Sequence, residues 1–572
     1  MGRWTGQWIA RLALSAAMAL LWAAPGRVMA QAVAAQQPVA GAAVAIANRL
    51  SDLAAEESPA LRGEALAAFA VIEQFYAARG FAPVWSDATR VQVLLDAVRD
   101  SVDDGLTPAD YHFTQLVRMV NELAQPATTD YQRAEFDILM TEAAIRLGYH
   151  LGFGKVDPVT LNSGWNLERH IPGFDPVVEI QKALTSPDLA ARIRDERPTL
   201  PLYLALRREL ARFNAIALRG GWRAIAPGAA LKPGVSDPRV PVLRERLAIT
   251  GDLSEADATA AASSADPNVY DEPLVAAVLE FQRRMGLATD GVVGAGTLAQ
   301  LNIPVEQRIR TLRVNLDRCR VLLFDLPPQF VVVNIASQQV YVAKDGKLEW
   351  NSRAQVGKEY RQTPEYRSEI NYLVLNPTWT VPPGIIKNDI LPAAKRDAES
   401  ITRKGLRVID SAGRDVEPSS VDWSRFSTGN IPYTLRQDPG PTNALGRVKF
   451  MFPNPYAVYL HDTPSKSLFE KNDRLTSSGC VRVERPFELA EILLNDPVKW
   501  SRANIDAAIQ AGKLQNVTLP QRVPILLVYW TAWVDGSGAL NFRPDVYGRD
   551  ARWSKGLDEP FRFRTTPIAS AR

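Results

Sequence analysis

The spacing of the apolar residues changes partway along this chain, and this change is the strongest constraint on its fold. Between about residues 65 and 224 the apolar residues recur with helical spacing, as in 202–206. From Phe330 onward the apolar runs are short, rich in Val, Ile and Tyr, and separated by turn residues. A length of 572 residues also predicts more than one domain. The sequence therefore predicts a multi-domain α+β protein with a helical first part and a mainly antiparallel β domain later.

The first 30 residues have the composition of a secretory signal peptide. Two arginines, Arg3 and Arg11, precede a thirteen-residue apolar run over 12–24, and small residues lie before Gln31. The run is shorter than the ~20 residues that a membrane-spanning helix needs. The sequence predicts a signal cleaved after Ala30 and a periplasmic protein, with an uncleaved membrane anchor as the alternative.

The charge balance gives no sign of a nucleic-acid partner. The chain has 66 basic and 63 acidic residues, and the predicted signal contains three arginines and no acid. Without the signal, 63 basic residues (66 less 3) balance 63 acidic ones. A neutral chain lacks the basic surface that nucleic-acid binding requires.

Composition and local patterns divide the rest of the chain into five further segments. The stretch 31–60, rich in Ala, Gln and Val, is predicted to be a linker. The segment 254–268, rich in Ala, Ser and Asp, interrupts the compact helical unit and is predicted to be a solvated loop. The segments, with the signal, are 1–30, 31–60, a helical domain 61–230, a compact helical unit 233–302, a β domain 328–540 interrupted by an insertion over 384–441, and a tail 541–572.

One cysteine and one histidine lie close together in a chain that has only two and four of these residues. His461 follows a β-rich run over 456–460, and Tyr459, two residues earlier, is predicted to share its face. Nineteen residues on, a Ser-Ser-Gly turn precedes Cys480, and Arg482 shares its face if 481–483 is extended. This pattern is compatible with two interpretations. Cys480 and His461 are either a thiol nucleophile with its imidazole base, or a pair of structural residues.

The remaining cysteine and histidines are predicted to be structural. Cys319 lies in a helical pattern, so packing is the simpler interpretation than a disulfide with Cys480. His112, His150 and His170 have no zinc-type spacing with one another or with the cysteines. The sequence predicts no metal and no cofactor.

The pattern around His461 and Cys480 resembles the signature of the L,D-transpeptidase catalytic domain of bacterial cell-wall synthesis. It consists of His461-Asp462-Thr463-Pro464 and of Ser-Ser-Gly-Cys-Val-Arg-Val, with eighteen residues between His461 and Cys480. Two positions differ from the commonest form, because Ser478 stands where a second histidine often does and Arg482 where Asn often does. Both variants resemble the large Gram-negative branch. Fragments at 75–85, 104–112 and 152–158 resemble the scaffold domain of that branch, and those at 281–287 and 290–294 resemble a three-helix peptidoglycan-binding domain.

The resemblance implies a role for each residue of the motif. Cys480 would be the nucleophile, His461 the base, and the main-chain carbonyl of Asp462 the group that orients the imidazole. The backbone N–H groups of Cys480 and Gly479 would stabilise the oxyanion with help from Tyr459. The implied substrate-binding residues are Arg482, Ser478 and Trp379, and the insertion 384–441 would cap the cleft.

The resemblance also implies a reaction. The thiolate would release D-alanine from a tetrapeptide stem and pass the acyl group to the diaminopimelate side-chain amine of a second stem, giving a 3–3 cross-link. Penems would acylate the thiol. The identity of the acceptor stays open, since lipoproteins and water are also compatible with the motif. The sequence also leaves open whether other cell-wall synthesis proteins are partners, whether 233–302 binds glycan, and what the oligomeric state is. A cysteine hydrolase of stems or lipoprotein links and a non-catalytic peptidoglycan-binding scaffold are the alternative functions.

Overall fold

A computed structural model describes residues 39–161, 166, 175–262, 266–324, 326–427 and 429–561. The predicted signal peptide, the first part of the predicted linker and His170 lie outside these residues. The rest forms an α+β protein of several domains, as predicted from the apolar pattern. Within the described ranges, no helix is both long enough and apolar enough to cross a membrane.

The first domain is built around the 24-residue helix Asp130–Phe153. A capping box between Thr129 and Gln132 starts this helix, satisfying two backbone N–H groups at its first turn. The strands β1 (Ala60–Leu61) and β2 (Glu64–Ala65) form a small hairpin. The helices are Val39–Ala54, Phe69–Ala78, Ala88–Asp100, Phe113–Leu123, Asp130–Phe153, Pro158–Leu161, Pro176–Thr185, Leu189–Asp195 and Pro201–Leu218.

The linker prediction for residues 31–60 is wrong over 39–54, where the structure has a helix. Ile46, Leu50 and Leu53 are buried and recur at helical spacing, so one face of this helix packs against Asp130–Phe153. Alanine, which made the stretch look featureless, is the residue with the highest helix propensity. The helical domain therefore begins at least twenty residues earlier than predicted.

The compact unit consists of the helices Val240–Thr250, Glu255–Ala262, Glu272–Met285 and Ala295–Leu301. The second of these contradicts the predicted loop at 254–268. Ser254 caps it by accepting a hydrogen bond from the Asp257 N–H at 3.1 Å, and the alanine-rich run that follows favours a helix. The long helix Val305–Leu322 then connects this unit to the β domain and shares a hydrophobic core with both.

The β domain is a nine-stranded sheet that is mainly antiparallel. The strands are β3 (Gln329–Asn334), β4 (Gln339–Lys344), β5 (Lys347–Gly357), β6 (Tyr366–Leu375), β11 (Val448–Met451), β12 (Leu460–His461), β13 (Leu475–Ser477), β14 (Val481–Val483) and β15 (Gln515–Val528). Their order in the sheet is β13-β5-β14-β12-β11-β6-β15-β3-β4, and β5 also pairs with β4, so the ends of the sheet meet. The helices Pro486–Leu494 and Arg502–Gln510 follow β14.

The insertion forms a subdomain with its own hydrophobic core, which includes Ile401, Val408 and Leu435. Its sheet begins at Trp379 and ends at Gln437, slightly before the predicted 384–441 at both ends. The strands are β7 (Trp379–Thr380), β8 (Arg407–Ile409), β9 (Asp415–Val416) and β10 (Thr434–Gln437), in the order β7-β10-β8-β9. Three short helices, Pro383–Ile385, Leu391–Ala394 and Ser400–Arg403, complete the cap.

The tail prediction for 541–572 is wrong over 541–561, because this stretch is packed against the body of the protein. Strands β16 (Ala532–Val534) and β17 (Leu540–Phe542) pair as a hairpin, and the helix Arg549–Asp558 follows. Trp553 and Leu557 on this helix are buried, and the Trp553 indole N–H donates to Asp317 at 2.9 Å. A buried tryptophan with a satisfied N–H fixes the helix to Val305–Leu322.

Candidate active site

The predicted base lies at the end of β12, and the predicted nucleophile immediately precedes the neighbouring strand β14. β12 and β14 pair in parallel, with His461 opposite Arg482. Leu460 and Val481, the preceding pair, are fully buried in the core of the β domain. Because side chains alternate between the faces of a strand, His461 and Arg482 lie on the opposite face, together with Cys480. All three line the same cleft beneath the cap.

His461 is held in one tautomer by a main-chain carbonyl. Its Nδ1 lies 2.5 Å from the Asp462 carbonyl oxygen, which can only accept a hydrogen bond. Nδ1 therefore carries the hydrogen, and Nε2 keeps a lone pair. Burial, reinforced by the charge of Arg482, lowers the pKa of His461 to about 3 despite this carbonyl. The imidazole is neutral at pH 7 and can accept a proton at Nε2.

The Cys480 thiol is half-buried, and its sulphur lies 3.7 Å from the Ala457 carbonyl oxygen. Burial raises the pKa of Cys480, while Tyr459, Lys449 and Arg482 act in the opposite direction. The cationic neighbours therefore favour the thiolate, but burial outweighs them. A thiol that is protonated at rest needs a base to take its proton during attack.

The turn before the nucleophile differs from the prediction at one donor. Gly479 has a φ of +117°, which favours glycine, so the predicted tight bend is present. Its N–H donates to Ser477 Oγ at 3.1 Å, and Ser477 in turn donates to the Cys480 carbonyl at 2.6 Å. The Gly479 N–H is thus engaged instead of open. Among the described residues, the Cys480 N–H has no backbone acceptor, so it is a free donor at the turn.

Tyr459 lies beside both catalytic candidates. Its ring packs edge-on against His461, with centroids 5.7 Å apart, and its hydroxyl interacts with the Cys480 sulphur. Burial and the neighbouring sulphur raise its pKa well above the ordinary value. The phenol therefore stays protonated and can act as a hydrogen-bond donor at this point.

Lys449 is a site residue that the sequence reasoning missed. On β11 it lies opposite His461, and its Nζ is 3.7 Å from the centre of the Tyr459 ring. Burial lowers its pKa, whereas Cys480 raises it, and no carboxylate pairs with it in the part of the chain that the structure describes. The alternation of side chains along β11 could have indicated Lys449. Val448 and Phe450 on either side are buried in the core, so Lys449 between them lies on the opposite face.

Arg482 carries a positive charge into the cleft without an acidic partner. Its Nη1 donates to Gln355 Oε1 at 3.0 Å, and its Nε is buried without a hydrogen-bond acceptor. Gln355, on β5, is itself fully buried and held by Thr476 at 2.8 Å. None of the described acids forms an ion pair with this guanidinium. Its charge is therefore available to an anionic group in the cleft.

The other two predicted substrate-binding residues lie where the cap meets the sheet. Ser478 accepts a hydrogen bond from Arg361 at 2.8 Å, and Arg361 also forms an ion pair with Asp389 of the cap at 2.5 Å. Trp379, on β7, is half-buried against the cap core and lines the cleft. Arg361 thus connects the cap to the turn that carries Cys480. Nothing in the local sequence around Arg361 indicates this role.

The cleft between cap and sheet has a volume of about 700 Å³. The thiol, the imidazole and the Arg482 guanidinium lie on its floor, whereas Trp379, Ile385 and Leu406 of the cap form the opposite wall. This volume is within the range of sites for small ligands and peptide segments. A cleft that contains a thiol and a neutral imidazole is suited to acyl transfer through a thioester.

Cys319, His112 and His150, which are predicted to be structural, lie away from the cleft. Cys319 is fully buried, and burial raises its pKa to about 12. His112 contacts Glu64 at 2.9 Å, and His150 contacts the Tyr111 hydroxyl at 2.8 Å. Within the described ranges, no group of His, Cys, Asp and Glu could hold a metal ion.

Three family profiles match separate parts of the chain. The profile described as "Scaffold domain" matches residues 70–210, and the one described as "Putative peptidoglycan binding domain" matches residues 236–301. The third, "L,D-transpeptidase catalytic domain", matches residues 328–499, which include His461 and Cys480.

Individual proteins are similar to parts of the chain. A curated protein of Haemophilus influenzae named "Putative L,D-transpeptidase" is 37% identical over 242 residues, which are 42% of this chain and 48% of that protein. The chain thus spans about half the length of the curated relative that it matches.

Among solved structures, an L,D-transpeptidase from Stackebrandtia nassauensis is 14% identical and covers 53% of this chain and 97% of its own, with a TM-score of 0.21. One from Mycobacterium smegmatis is also 14% identical and covers 35% of this chain and 58% of its own, with a TM-score of 0.18. TM-scores this low do not bear on the fold. The catalytic-domain profile, the peptidoglycan-binding profile and the curated relative agree with one another, and residues 328–499 match the catalytic domain of the L,D-transpeptidase family.

Proposed function

We propose that this protein is a cysteine L,D-transpeptidase that cross-links peptidoglycan in the periplasm. It takes a tetrapeptide stem as acyl donor, releases D-alanine, and transfers the acyl group to the diaminopimelate side-chain amine of a second stem, giving a 3–3 cross-link. The observation that carries the proposal is the pairing of β12 with β14, which brings Cys480 and a neutral His461 to one face beneath a cap.

The first half of the reaction forms the thioester. His461 Nε2 takes the thiol proton as the Cys480 sulphur attacks the carbonyl carbon of the bond that precedes the terminal D-alanine. The C–N bond then breaks, and the imidazolium returns its proton to the departing D-alanine amine. The Asp462 carbonyl supports this exchange because its hydrogen bond to Nδ1, at 2.5 Å, is strongest when the ring is positively charged.

The negative charge of the tetrahedral intermediate needs donors near the sulphur. The Cys480 N–H and the Tyr459 hydroxyl are the two candidates, since the Gly479 N–H is occupied by Ser477. Buried donors that are fixed before the reaction stabilise an oxyanion more strongly than water does. Arg482, which has no acidic partner, is suited to bind a carboxylate of the donor stem.

The cap has a purpose in the second half of the reaction. Water competes with the acceptor amine for the thioester, and hydrolysis would release a tripeptide. The cap, joined to the Cys480 turn through Arg361 and Asp389, covers one side of the cleft and limits the access of water from that side. This arrangement favours transfer over hydrolysis.

The proposal is tested by incubating the purified protein with a disaccharide-tetrapeptide and following the products by mass spectrometry. We expect release of D-alanine, a cross-linked dimer and a transient adduct on Cys480, and a penem should form a stable adduct at the same residue. A tripeptide as the only product would indicate a hydrolase. No turnover and no adduct would indicate a non-catalytic peptidoglycan-binding scaffold.

Replacing Tyr459 by phenylalanine tests the hydroxyl alone. We expect the rate of thioester formation to fall by ~100-fold, because one oxyanion donor is lost while the ring stays against His461 and Lys449. The rate is measured in a single turnover from the release of D-alanine. A change of less than twofold would show that the hydroxyl does not contact the oxyanion.

Replacing Lys449 by methionine tests a positioning residue that acts through the thiol. The positive charge favours the thiolate, so its loss raises the pKa of Cys480 further. Alkylation by iodoacetamide should slow several-fold at neutral pH, and its pH profile should move to higher pH. Lys466→Met, which removes a cation paired with Asp462, serves as the control. An unchanged profile in Lys449→Met would contradict the assignment.

A further inference from the structure

A second cleft, of about 440 Å³, opens on the other side of the turn that carries Cys480. Five separate parts of the chain line it: Pro158 and Leu161 of the helical domain, Gln362, Pro364 and Glu365 between β5 and β6, Tyr456 and Val458 before β12, Ser478 and Gly479 of the turn, and Arg549, Arg552 and Trp553 of the C-terminal helix. Gln362, Tyr456, Val458 and Ser478 line both this cleft and the capped one. The two clefts therefore share a wall at the turn that precedes Cys480, and Cys480 itself lines the capped cleft.

Acyl transfer requires two sites that meet at the nucleophile. One holds the donor stem, including its terminal D-alanine, and the other holds the incoming amine. The capped cleft contains the thiol, the imidazole and Arg482, and it is the larger of the two, so it suits the donor stem. The second cleft then remains for the acceptor.

The second cleft offers one positive charge without a partner. Arg549, at the edge of this cleft, already has an acidic partner, because it donates to Glu365 at 3.0 Å and to the Thr363 carbonyl at 2.8 Å. Arg552, one turn further along the same helix, is exposed and forms no hydrogen bond or ion pair with the described residues. A free guanidinium at the edge of a cleft is suited to bind a carboxylate with two hydrogen bonds.

The walls of this cleft are held together by a buried carboxylate. Asp317 accepts hydrogen bonds from the Lys155 N–H at 2.7 Å, the Val156 N–H at 3.1 Å and the Trp553 indole at 2.9 Å. These contacts fix the end of the helical domain and the C-terminal helix to the connecting helix Val305–Leu322. The cleft is thus a built feature of the assembled domains, and the catalytic domain alone would lack two of its walls.

We infer that the second cleft binds the acyl acceptor, a stem peptide whose attacking amine has a carboxylate on the same carbon, and that Arg552 binds this carboxylate. The inference rests on the proposed function and adds to it the site of the second substrate. Diaminopimelate carries an amine and a carboxylate on one carbon at the end of its side chain. The helical domain and the C-terminal helix then contribute directly to substrate binding.

The transfer step balances with these groups alone. The acceptor amine nitrogen attacks the thioester carbonyl carbon, forming the new amide C–N bond as the C–S bond breaks. His461 Nε2 takes the proton that the amine loses and returns it to the departing thiolate, which restores the thiol. No further reactant is needed.

Replacing Arg552 by glutamine separates the two half-reactions. Each variant of the full chain is given a disaccharide-tetrapeptide donor and a tripeptide acceptor whose side-chain carboxylate is either free or amidated. D-Alanine release in a single turnover reports thioester formation, and dimer formation reports transfer. Lys555→Gln is the matched control, because Lys555 is also exposed on the C-terminal helix but does not line the cleft.

In Arg552→Gln we expect D-alanine release within twofold of wild type and dimer formation with the free-carboxylate acceptor reduced about 10- to 100-fold, as for loss of a charge-assisted hydrogen bond. The preference of wild type for the free over the amidated acceptor should disappear, and Lys555→Gln should keep it. Unchanged dimer formation, or a preference that persists in Arg552→Gln, would overturn the acceptor site while leaving the proposed function intact. If wild type releases no D-alanine, or only hydrolyses the donor, the proposed function fails and the acceptor site with it.

Discussion

Replacing Cys480 by alanine is expected to abolish turnover, with a loss of at least ~10⁴-fold in the rate of D-alanine release. The sulphur is the atom that forms the thioester, and no second nucleophile among the described residues lies in its position immediately before β14. The covalent adduct with a penem or with the tetrapeptide, observed by mass spectrometry of the intact protein, should also disappear. Binding of the donor stem should persist, because Arg482 and the cap residues are unchanged.

The second cysteine provides the matched control. Cys319 is fully buried in the helix Val305–Leu322, and its thiol is far from deprotonation at neutral pH. Cys319→Ala should therefore keep the adduct and the activity, at some cost in thermal stability from the cavity that it leaves. An adduct that survives in Cys480→Ala and is lost in Cys319→Ala would refute the assignment of the nucleophile.

Replacing His461 by glutamine should lower the rate of thioester formation by ~10²- to 10⁴-fold. The Cys480 thiol is protonated at rest because burial raises its pKa, so attack depends on a group that removes the proton. The pKa of His461, about 3, keeps the imidazole neutral throughout the neutral range. We therefore expect the acidic limb of the pH–rate profile of wild type to lie well below pH 6. A limb near pH 6.5 would contradict a buried, neutral imidazole.

The role of the Asp462 carbonyl can be separated from that of the Asp462 carboxylate. The carboxylate accepts a hydrogen bond from the Arg447 N–H at 2.9 Å and forms an ion pair with Lys466 at 2.5 Å, both outside the catalytic pair. Asp462→Asn keeps the carbonyl at 2.5 Å from His461 Nδ1, so it should lose far less activity than His461→Gln. Equal losses in the two variants would show that the carboxylate orients the base.

The order of the helical and β parts, and the strand and turn around the candidate site, could be predicted from the sequence, because both depend on local patterns. Helical spacing before residue 224 and short β-rich runs after residue 330 indicated the two types of domain. A strand ending at His461 and a glycine turn before Cys480 are features of a few adjacent residues. The predictions that were wrong lie in alanine-rich or polar stretches. There, helices such as Val39–Ala54 and Arg549–Asp558 are stabilised by burial against distant elements.

The sequence by itself determined which residues could act as nucleophile and base, since the chain offers so few thiols and imidazoles. Only the tertiary structure decided their surroundings: Lys449 from β11, Gln355 from β5, and Arg361 between the cap and the turn. It also decided the second cleft, whose walls come from residues almost 400 positions apart in the chain. The physical reason is that strand register and domain packing fix contacts between distant residues, which no pattern of neighbouring residues records.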